Sequence, residues 1–378
     1  MEKYFDFAAT TPMSHAALNA FVKASEEYFG NSSSLHDTGS KAGQLLEHCR
    51  TRLSEMMGIE GGLYFTSGGT ESNAIALQAL AYAGNGKHIV TTEAEHSSVN
   101  NVLDKLAREG FRVSRLPFTK KGEVDVDRMK EIMNEETALV SVQLVNSDIG
   151  TIQPIKEMAS LCRQYGSLLH SDAVQAFGKI DIREWAPYVD SLSISAHKVG
   201  GPKGVGAVYI SPAVSFSPLV PNGTHESGVR PGTVNTPGIA SFLVGAEEMV
   251  TTMEEHQVKT IALKKTLLDS VANGPFDVVG RVEEPIPILG LIGKGVSGQW
   301  MMLEANRRGF CFSTGSACQS KNEGSLPTLT AMGINKEEAE GFIRISFHPN
   351  QTREEVIELG RCLTDIVSAY SVHTSPAR

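Results

Sequence analysis

Apolar residues recur every three or four positions over Leu18 to Phe29 and over Gln44 to Met57, and this predicts two amphipathic helices. Leu63 to Thr66 is a short apolar run and predicts a strand. "SGGTES" follows it, then a helical pattern from Asn73 to Ala83. The alternation continues with a strand over His88–Thr92, a helix over Ser98–Arg108 and a strand over Phe111–Leu116. A helix over Val126–Met133, a strand over Ala138–Leu144 and a helix over Ile155–Tyr165 come next. Two more strands are predicted at Ser167–His170 and Ser191–Ser195. Strands separated by helices at this spacing predict an α/β fold, a mostly parallel sheet covered on both faces.

Past Pro237 the texture changes. Ile239 to Val271 reads as one long helix. Beyond it "PIPILGLIG", "GFCFSTG" and "FIRISF" are short strand-like runs between helices, which predicts a smaller α+β domain. There is no internal repeat, and only "HTSPAR" at the end reads as a loose tail.

Length and charge narrow the function. A chain of 378 residues is long enough for two or three domains. With 34 basic and 43 acidic residues the net charge is −9, which argues against nucleic acid as the main partner. No window of 18 apolar residues exists, so no membrane helix is expected. "MEKYFDFAATTP" lacks the apolar core of a signal peptide. Cys49, Cys162, Cys311, Cys318 and Cys362 are odd in number, widely spaced and without a CxxC pair. They read as reduced thiols of a cytoplasmic protein, with no metal site.

Chemistry-bearing clusters fall at the predicted strand ends, where open α/β sheets bind ligands. "TSGGTES" can offer glycine backbone and a helix N-terminus to a phosphate. It is not a P-loop, because no Lys-Ser/Thr pair follows. "TTEAEHSSV" puts His96 just before a helix, and "VNSDIGTIQP" puts Asn146 and Ser147 between strand and helix. In "LLHSDAVQAFG" Asp172 stands two residues past an apolar strand, where a carboxylate needs donors or a cation. In "SISAHKVGGPKGVG" Lys198 stands where an apolar strand gives way to glycine.

Together these clusters match the needs of pyridoxal 5'-phosphate. Its phosphate needs a helix N-terminus, its ring nitrogen a carboxylate, its ring face an aromatic partner and its aldehyde a lysine. The lysine must shed its proton, and burial beside a cationic ring favours that.

Ten stretches in order, from "FDFAATTP" and "YFGNSSSLHDTG" through "SAHKVGGPKG", "HESGVRPGT" and "STGSACQS" to "FIRISF", resemble a cysteine desulfurase of the class V aminotransferase family. The resemblance lies in its nitrogen-fixation and iron–sulfur-cluster branch, Bacillus-type. It implies the pyridoxal-phosphate-dependent transferase fold type I. It implies that Lys198 forms the Schiff base and shuttles protons, that Asp172 pairs with the pyridinium nitrogen and that His96 stacks on the ring. It implies that Gln175 touches the ring hydroxyl, and that Gly69, Thr70, Ser195 and His197 hold the phosphate. Thr233 is expected to reach the phosphate of the neighbouring subunit of a homodimer. Arg344 and Asn146 are expected to bind the substrate carboxylate, and Cys318 to take the sulfur. Two positions depart from the family pattern. Ser147, expected among the cofactor-binding residues, replaces an asparagine that normally contacts cofactor or substrate, and "GNSSS" lacks a proline that normally follows the asparagine.

Cys318 is also the best nucleophile on residue grounds. "STGSACQSKNEGS" is polar, small and aperiodic, which predicts an exposed mobile loop. Cys49, Cys162 and Cys362 lie in apolar helical patterns, and Cys311 alternates with Phe310 and Phe312 in a strand. The implied reaction converts L-cysteine to L-alanine and leaves a persulfide on Cys318. Its acceptor would be an iron–sulfur scaffold or a dedicated client such as quinolinate synthase. A selenocysteine lyase or small-amino-acid aminotransferase on the same fold, and a non-catalytic sulfur-transfer scaffold, are the alternatives. We expect a large cofactor-binding domain over residues 14–255. Residues 1–13 and 256–378 would form a small domain carrying the Cys318 loop.

Overall fold

The computed structural model describes residues 3–218, 220, 223–314 and 326–374. The first part of the chain forms β1 (Lys3–Tyr4), α1 (His15–Glu27), α2 (Asp37–Met57), β2 (Leu63–Thr66) and α3 (Gly69–Ala83). Then come β3 (His88–Thr92), α4 (Ser97–Arg108), β4 (Arg112–Leu116), α5 (Val126–Ile132), β5 (Thr137–Ser141), α6 (Ile155–Tyr165), β6 (Leu168–Asp172), β7 (Ser191–Ser195) and β8 (Gly206–Ile210). These strands build a seven-stranded sheet in the order β2-β8-β7-β6-β5-β3-β4. β8 is antiparallel to both of its neighbours, and all other pairs are parallel.

The predicted helices start and stop where local chemistry dictates. The Ser14 hydroxyl accepts the Ala17 N–H at 3.0 Å and starts α1. α2 and α6 each end at a left-handed glycine, Gly58 and Gly166. On α4, Val99, Leu103 and Leu106 are buried at helical spacing. The five residues of β3, β5, β7 and β8 are all buried, as strands covered on both faces must be.

Three features differ from the sequence pattern. β8 is a full strand, although its glycine-rich lead-in read as loop. The long apolar stretch past Pro237 is two helices, α7 (Thr236–Thr251) and α8 (Met253–Val271), broken at Thr252. Asp172 is the last residue of β6 and not beyond the strand.

The rest of the chain supplies β9 (Phe276–Val279), β10 (Ile288–Gly293), a helix over Gly298–Arg307, β11 (Phe310–Cys311) and β12 (Phe342–Ser346). β12, β10 and β9 form an antiparallel three-stranded sheet, and β1 pairs with β11. A second core gathers Phe5 with Leu263, Leu267, Leu291, Ile343 and Leu363. The amino-terminal segment thus joins the late sheet in sequence-distant packing. The long helix Arg353–Thr374 lies against α8. Among the described residues no helix is long and apolar enough to cross a membrane.

The "GNSSS" loop is held without a proline. Asn31 Oδ1 accepts the Ser33 N–H at 3.0 Å, and the Asn31 carbonyl accepts the Ser34 N–H at 2.9 Å. That is an Asx turn, and it supplies locally the order a proline would impose.

Candidate active site

A cavity of about 330 Å³ opens beyond the carboxyl ends of β2, β3, β5, β6 and β7. Gly69 and Thr70 come to it from the start of α3, His96 from the start of α4, and Ser147 from the loop after β5. Asp172 and Gln175 come from the end of β6, and Ser195, His197 and Lys198 from the end of β7. Arg344 reaches it from β12 of the second sheet.

Lys198 closes a short 3-10 turn that follows β7. Its ammonium donates to the carbonyls of Ala8 and Ala9, the latter at 2.9 Å. "FDFAATTP" therefore forms the wall that holds the lysine.

One end of the cavity is built for an anion. Gly68 caps α3 with no side-chain hydrogen bond, at φ +145, a conformation that needs glycine. A Cβ on Gly206 would fall 2.7 Å from Gly68 Cα, so β8 can approach the turn this closely only with glycine at 206. The first N–H groups of this 15-residue helix have no intrahelical partner. The Ser195 hydroxyl is buried beside them with no hydrogen-bond partner. Burial, then the charges of Lys198, Lys203 and Lys179, push the His197 imidazole down to about 4, so it is neutral at pH 7. Uncapped N–H groups, an orphaned hydroxyl and a neutral imidazole beside Lys203 fit a phosphate.

The other end carries the carboxylate. Asp172 accepts the Val174 N–H at 2.9 Å and Asn73 Nδ2 at 2.8 Å. Asn73 Nδ2 also donates to Ser98 Oγ at 2.9 Å, and Ser98 Oγ lies 2.8 Å from His96 Nδ1. His96 Nδ1 accepts the Ser98 N–H as the helix cap, which leaves the ring proton on Nε2. His170 Nε2 lies 3.2 Å from Asn73 Oδ1, an atom that can only accept. One fully buried amide, on Asn73, thus orients both Asp172 and His96.

Asn73→Ala is expected to weaken pyridoxal phosphate binding by about tenfold or more, because each buried group left unsatisfied costs about 1–3 kcal/mol. Titration of the apoprotein with the cofactor, read by visible absorbance, checks this. Unchanged affinity would show that Asp172 and His96 hold their places without it.

Glu95 lines the cavity beside His96. Burial pushes its carboxyl up to about 8, against donors from the Thr92 hydroxyl and the Gln143 N–H, and the nearby Asp172 adds to the rise. It is mostly neutral at pH 7 and spares Asp172 a second anion.

Arg344 joins three segments. It donates to Asp6 Oδ1 at 2.9 Å and to the Ser147 carbonyl at 3.0 Å, and lies 3.8 Å from Asp148. Its Nε is buried without a hydrogen-bond partner. Asn146 is different: it is buried and not among the lining residues. Its Oδ1 accepts the N–H groups of Asp148 and Ile149, and its Nδ2 donates to Thr328 Oγ1 at 3.2 Å. These contacts use Asn146 to shape this loop. Thr233 is exposed ahead of α7 and does not line this chain's own cavity.

Ser147→Asn should be tolerated, because it changes one hydrogen bond worth roughly 0.5–1.5 kcal/mol. Steady-state kinetics should show kcat/KM within about tenfold of wild type, and complete loss of turnover would show that the serine is required.

Cys318 lies outside the described residues. Ser313 on one side of that segment and Leu326 and Pro327 on the other line the cavity. Burial pushes the thiols of Cys49 and Cys162 up to about 12 and raises that of Cys362. Cys311 is half-buried on β11, with its thiol 3.6 Å from Asn306 Oδ1. Asn73, Ser98, Glu95 and Asp6 escaped the sequence reading. The one visible signal was Asn73, a polar residue opening the otherwise apolar run "AIALQALA".

The fold and this cavity define the pyridoxal-phosphate transferase class, and the chain belongs to the class V aminotransferase family, which it matches over residues 3–359. Its relatives narrow that class to cysteine desulfurases. It is 43% identical over 367 residues, 94% of this chain and 92% of the other, to a Bacillus subtilis (strain 168) protein named "Putative cysteine desulfurase NifS". It is 36% identical over 364 residues, 93% of this chain and 91% of the other, to "Cysteine desulfurase IscS" of Clostridium botulinum. A solved structure described as a "NIFS-LIKE PROTEIN" superposes with a TM-score of 0.90 at 31% identity, covering 98% of this chain and all of its own.

Proposed function

We propose that this chain is a pyridoxal-phosphate-dependent cysteine desulfurase that converts L-cysteine to L-alanine and passes the sulfur through Cys318 to an acceptor protein. The observation that carries the reading is the meeting of Lys198, Asp172, His96 and Arg344 in one cavity with an uncapped helix and the orphaned Ser195 hydroxyl.

When bound, the cofactor supplies an electron sink for the substrate's Cα. The start of α3, Ser195 and His197 would hold its phosphate, Asp172 would keep its ring nitrogen protonated, and His96 would cover the ring face. Lys198 would link to the aldehyde, give way to the substrate amine and move the proton from Cα. Arg344 would take the substrate carboxylate. The Cys318 thiolate would then attack the substrate sulfur. The C–S bond breaks, an S–S bond forms on Cys318, and the freed carbon takes a proton to give alanine.

A homodimer fits the exposed apolar side chains of Leu18 and Val22 on α1 and of Phe29 and Leu35 just after it. The exposure of Thr233 fits its expected reach to the neighbouring subunit. The acceptor is an iron–sulfur scaffold or a dedicated client protein.

The test is stoichiometric. Purified protein with pyridoxal phosphate and L-cysteine should release one alanine for each sulfur delivered to a thiol reductant. Formation of a keto acid instead would turn the reading to an aminotransferase.

A further inference from the structure

Lys179 is a buried lysine with no part in the reaction as described above. It is the fourth residue after Gln175, in "VQAFGKID". The residue is buried, with a relative exposure of 8%. Among the described residues no carboxylate lies within ion-pairing distance of it. Its ammonium donates to Gln175 Oε1 at 2.8 Å. Gln175 Nε2 donates to the Ala8 carbonyl at 2.8 Å, and Lys198 donates to the same carbonyl.

This arrangement fixes the polarity of one amide. An ammonium has only donors, so the oxygen of Gln175 must face Lys179 and its NH2 must face the other way. One of those hydrogens goes to Ala8, and the second remains for the cavity that Gln175 lines. Without Lys179 only the Ala8 carbonyl still opposes a half-turn of the amide that would present its oxygen. A phenolic oxygen of a bound ring would then meet a lone pair and not a donor.

A buried cation without a carboxylate destabilises the native state. Burial, and then the charge of Lys198, push the Lys179 ammonium down to about 7. Lysine in an unfolded chain titrates near 10.4. The cost is therefore absent above the unfolded value, grows as pH falls toward 7, and is complete below it. Lys198 is the cation facing Lys179 across Gln175. The larger cavity of about 880 Å³ that Lys179 also lines carries Glu247, Glu248, His256 and His348.

We propose that Lys179 is a positioning residue: it locks the Gln175 amide with its NH2 toward the cofactor's ring oxygen, and its charge faces the cofactor-linked Lys198. This rests on the cofactor reading above. The experiment uses the holoenzyme without substrate and reads the pH titration of its visible band and the dissociation constant of pyridoxal phosphate. Lys179→Met should weaken the cofactor by about tenfold, the loss of one charge-oriented hydrogen bond. It should also raise the midpoint of the titration by about one pH unit, because a cation near the linked nitrogen has gone. Lys179→Gln, which can still donate to Oε1, should restore affinity but keep the raised midpoint. In a Gln175→Ala background Lys179→Met should add no further loss of affinity, as a residue acting through Gln175 must.

Equal losses in both backgrounds, or an unchanged midpoint and affinity in Lys179→Met, would overturn the assignment. Apoprotein melting keeps folding separate: Lys179→Met should melt no lower than wild type at pH 6, and a lower value would mark Lys179 as a structural strut and overturn it too. Failure of the cofactor reading looks different. Wild type itself would then show no visible band and no reduced adduct on Lys198, and the proposal would fall with it.

Discussion

Cys318→Ala is expected to abolish sulfur transfer while the protein still binds pyridoxal phosphate and L-cysteine. On the proposed reading, cofactor binding and proton movement would use Lys198, Asp172 and the helix start of α3, none of which depends on a thiol. Sulfur abstraction needs a thiolate within reach. Buried thiols pushed to about 12, such as Cys49 and Cys162, are thiolate in only about one molecule in ten thousand at pH 8. Alanine release should fall by at least about a thousandfold, since the nucleophile is removed outright. L-cysteine should still change the visible spectrum. The matching control is Cys311→Ala, which should keep turnover because Cys311 sits in the β1–β11 pair. A mass spectrum after L-cysteine should find one added sulfur on the peptide holding Cys318. Normal turnover of Cys318→Ala, or the added sulfur on Cys311, would return the protein to the broader class of pyridoxal-phosphate enzymes.

Lys198→Ala should lose turnover by at least about a thousandfold, because in the proposed reaction it would remove both the covalent tether and the group that moves the proton, a role worth about 10²–10⁴ by itself. The fold should survive. Lys198 contributes hydrogen bonds to the carbonyls of Ala8 and Ala9, each worth about 1 kcal/mol net, so the melting temperature should drop by a few degrees at most. The variant should bind the cofactor more weakly, and borohydride should leave no covalent product. In wild type borohydride should fix the cofactor to Lys198. Lys203, exposed at the phosphate end, and Lys179 are the controls within reach. A reduced adduct on either would overturn the assignment.

Much of the frame was legible in the chain. β2, β3, β7 and α6 appear where periodicity puts them, because runs buried on both faces and one-sided helical stripes are local signals. The glycine-rich turns were legible too, since backbone conformations such as that of Gly68 leave few residue choices. β8 was not, because "GGPKGVG" has the composition of a loop and becomes strand only by pairing with β2 and β7. The chemistry divides in the same way. Lys198, Asp172 and His96 were singled out from motifs, because each stands in a short stretch whose residue types suggest a task, and Arg344 came from the family resemblance. Asn73 was missed, although its amide orders Asp172, which is 99 residues away. Asn146 was assigned to substrate, and its contacts with Asp148, Ile149 and Thr328 turn it inward. Lys179 carried no signal at all: a lysine after glycine reads as surface, and only the folded chain removes its charge from water. The amino-acid sequence by itself determined which segments are helix or strand and which residues can do the chemistry, because those follow from local periodicity and side-chain type. Tertiary structure alone decided which polar groups are buried together and which atom of each faces the cavity, because hydrogen bonds between sequence-distant residues exist only after the sheets and the amino-terminal segment have closed around them.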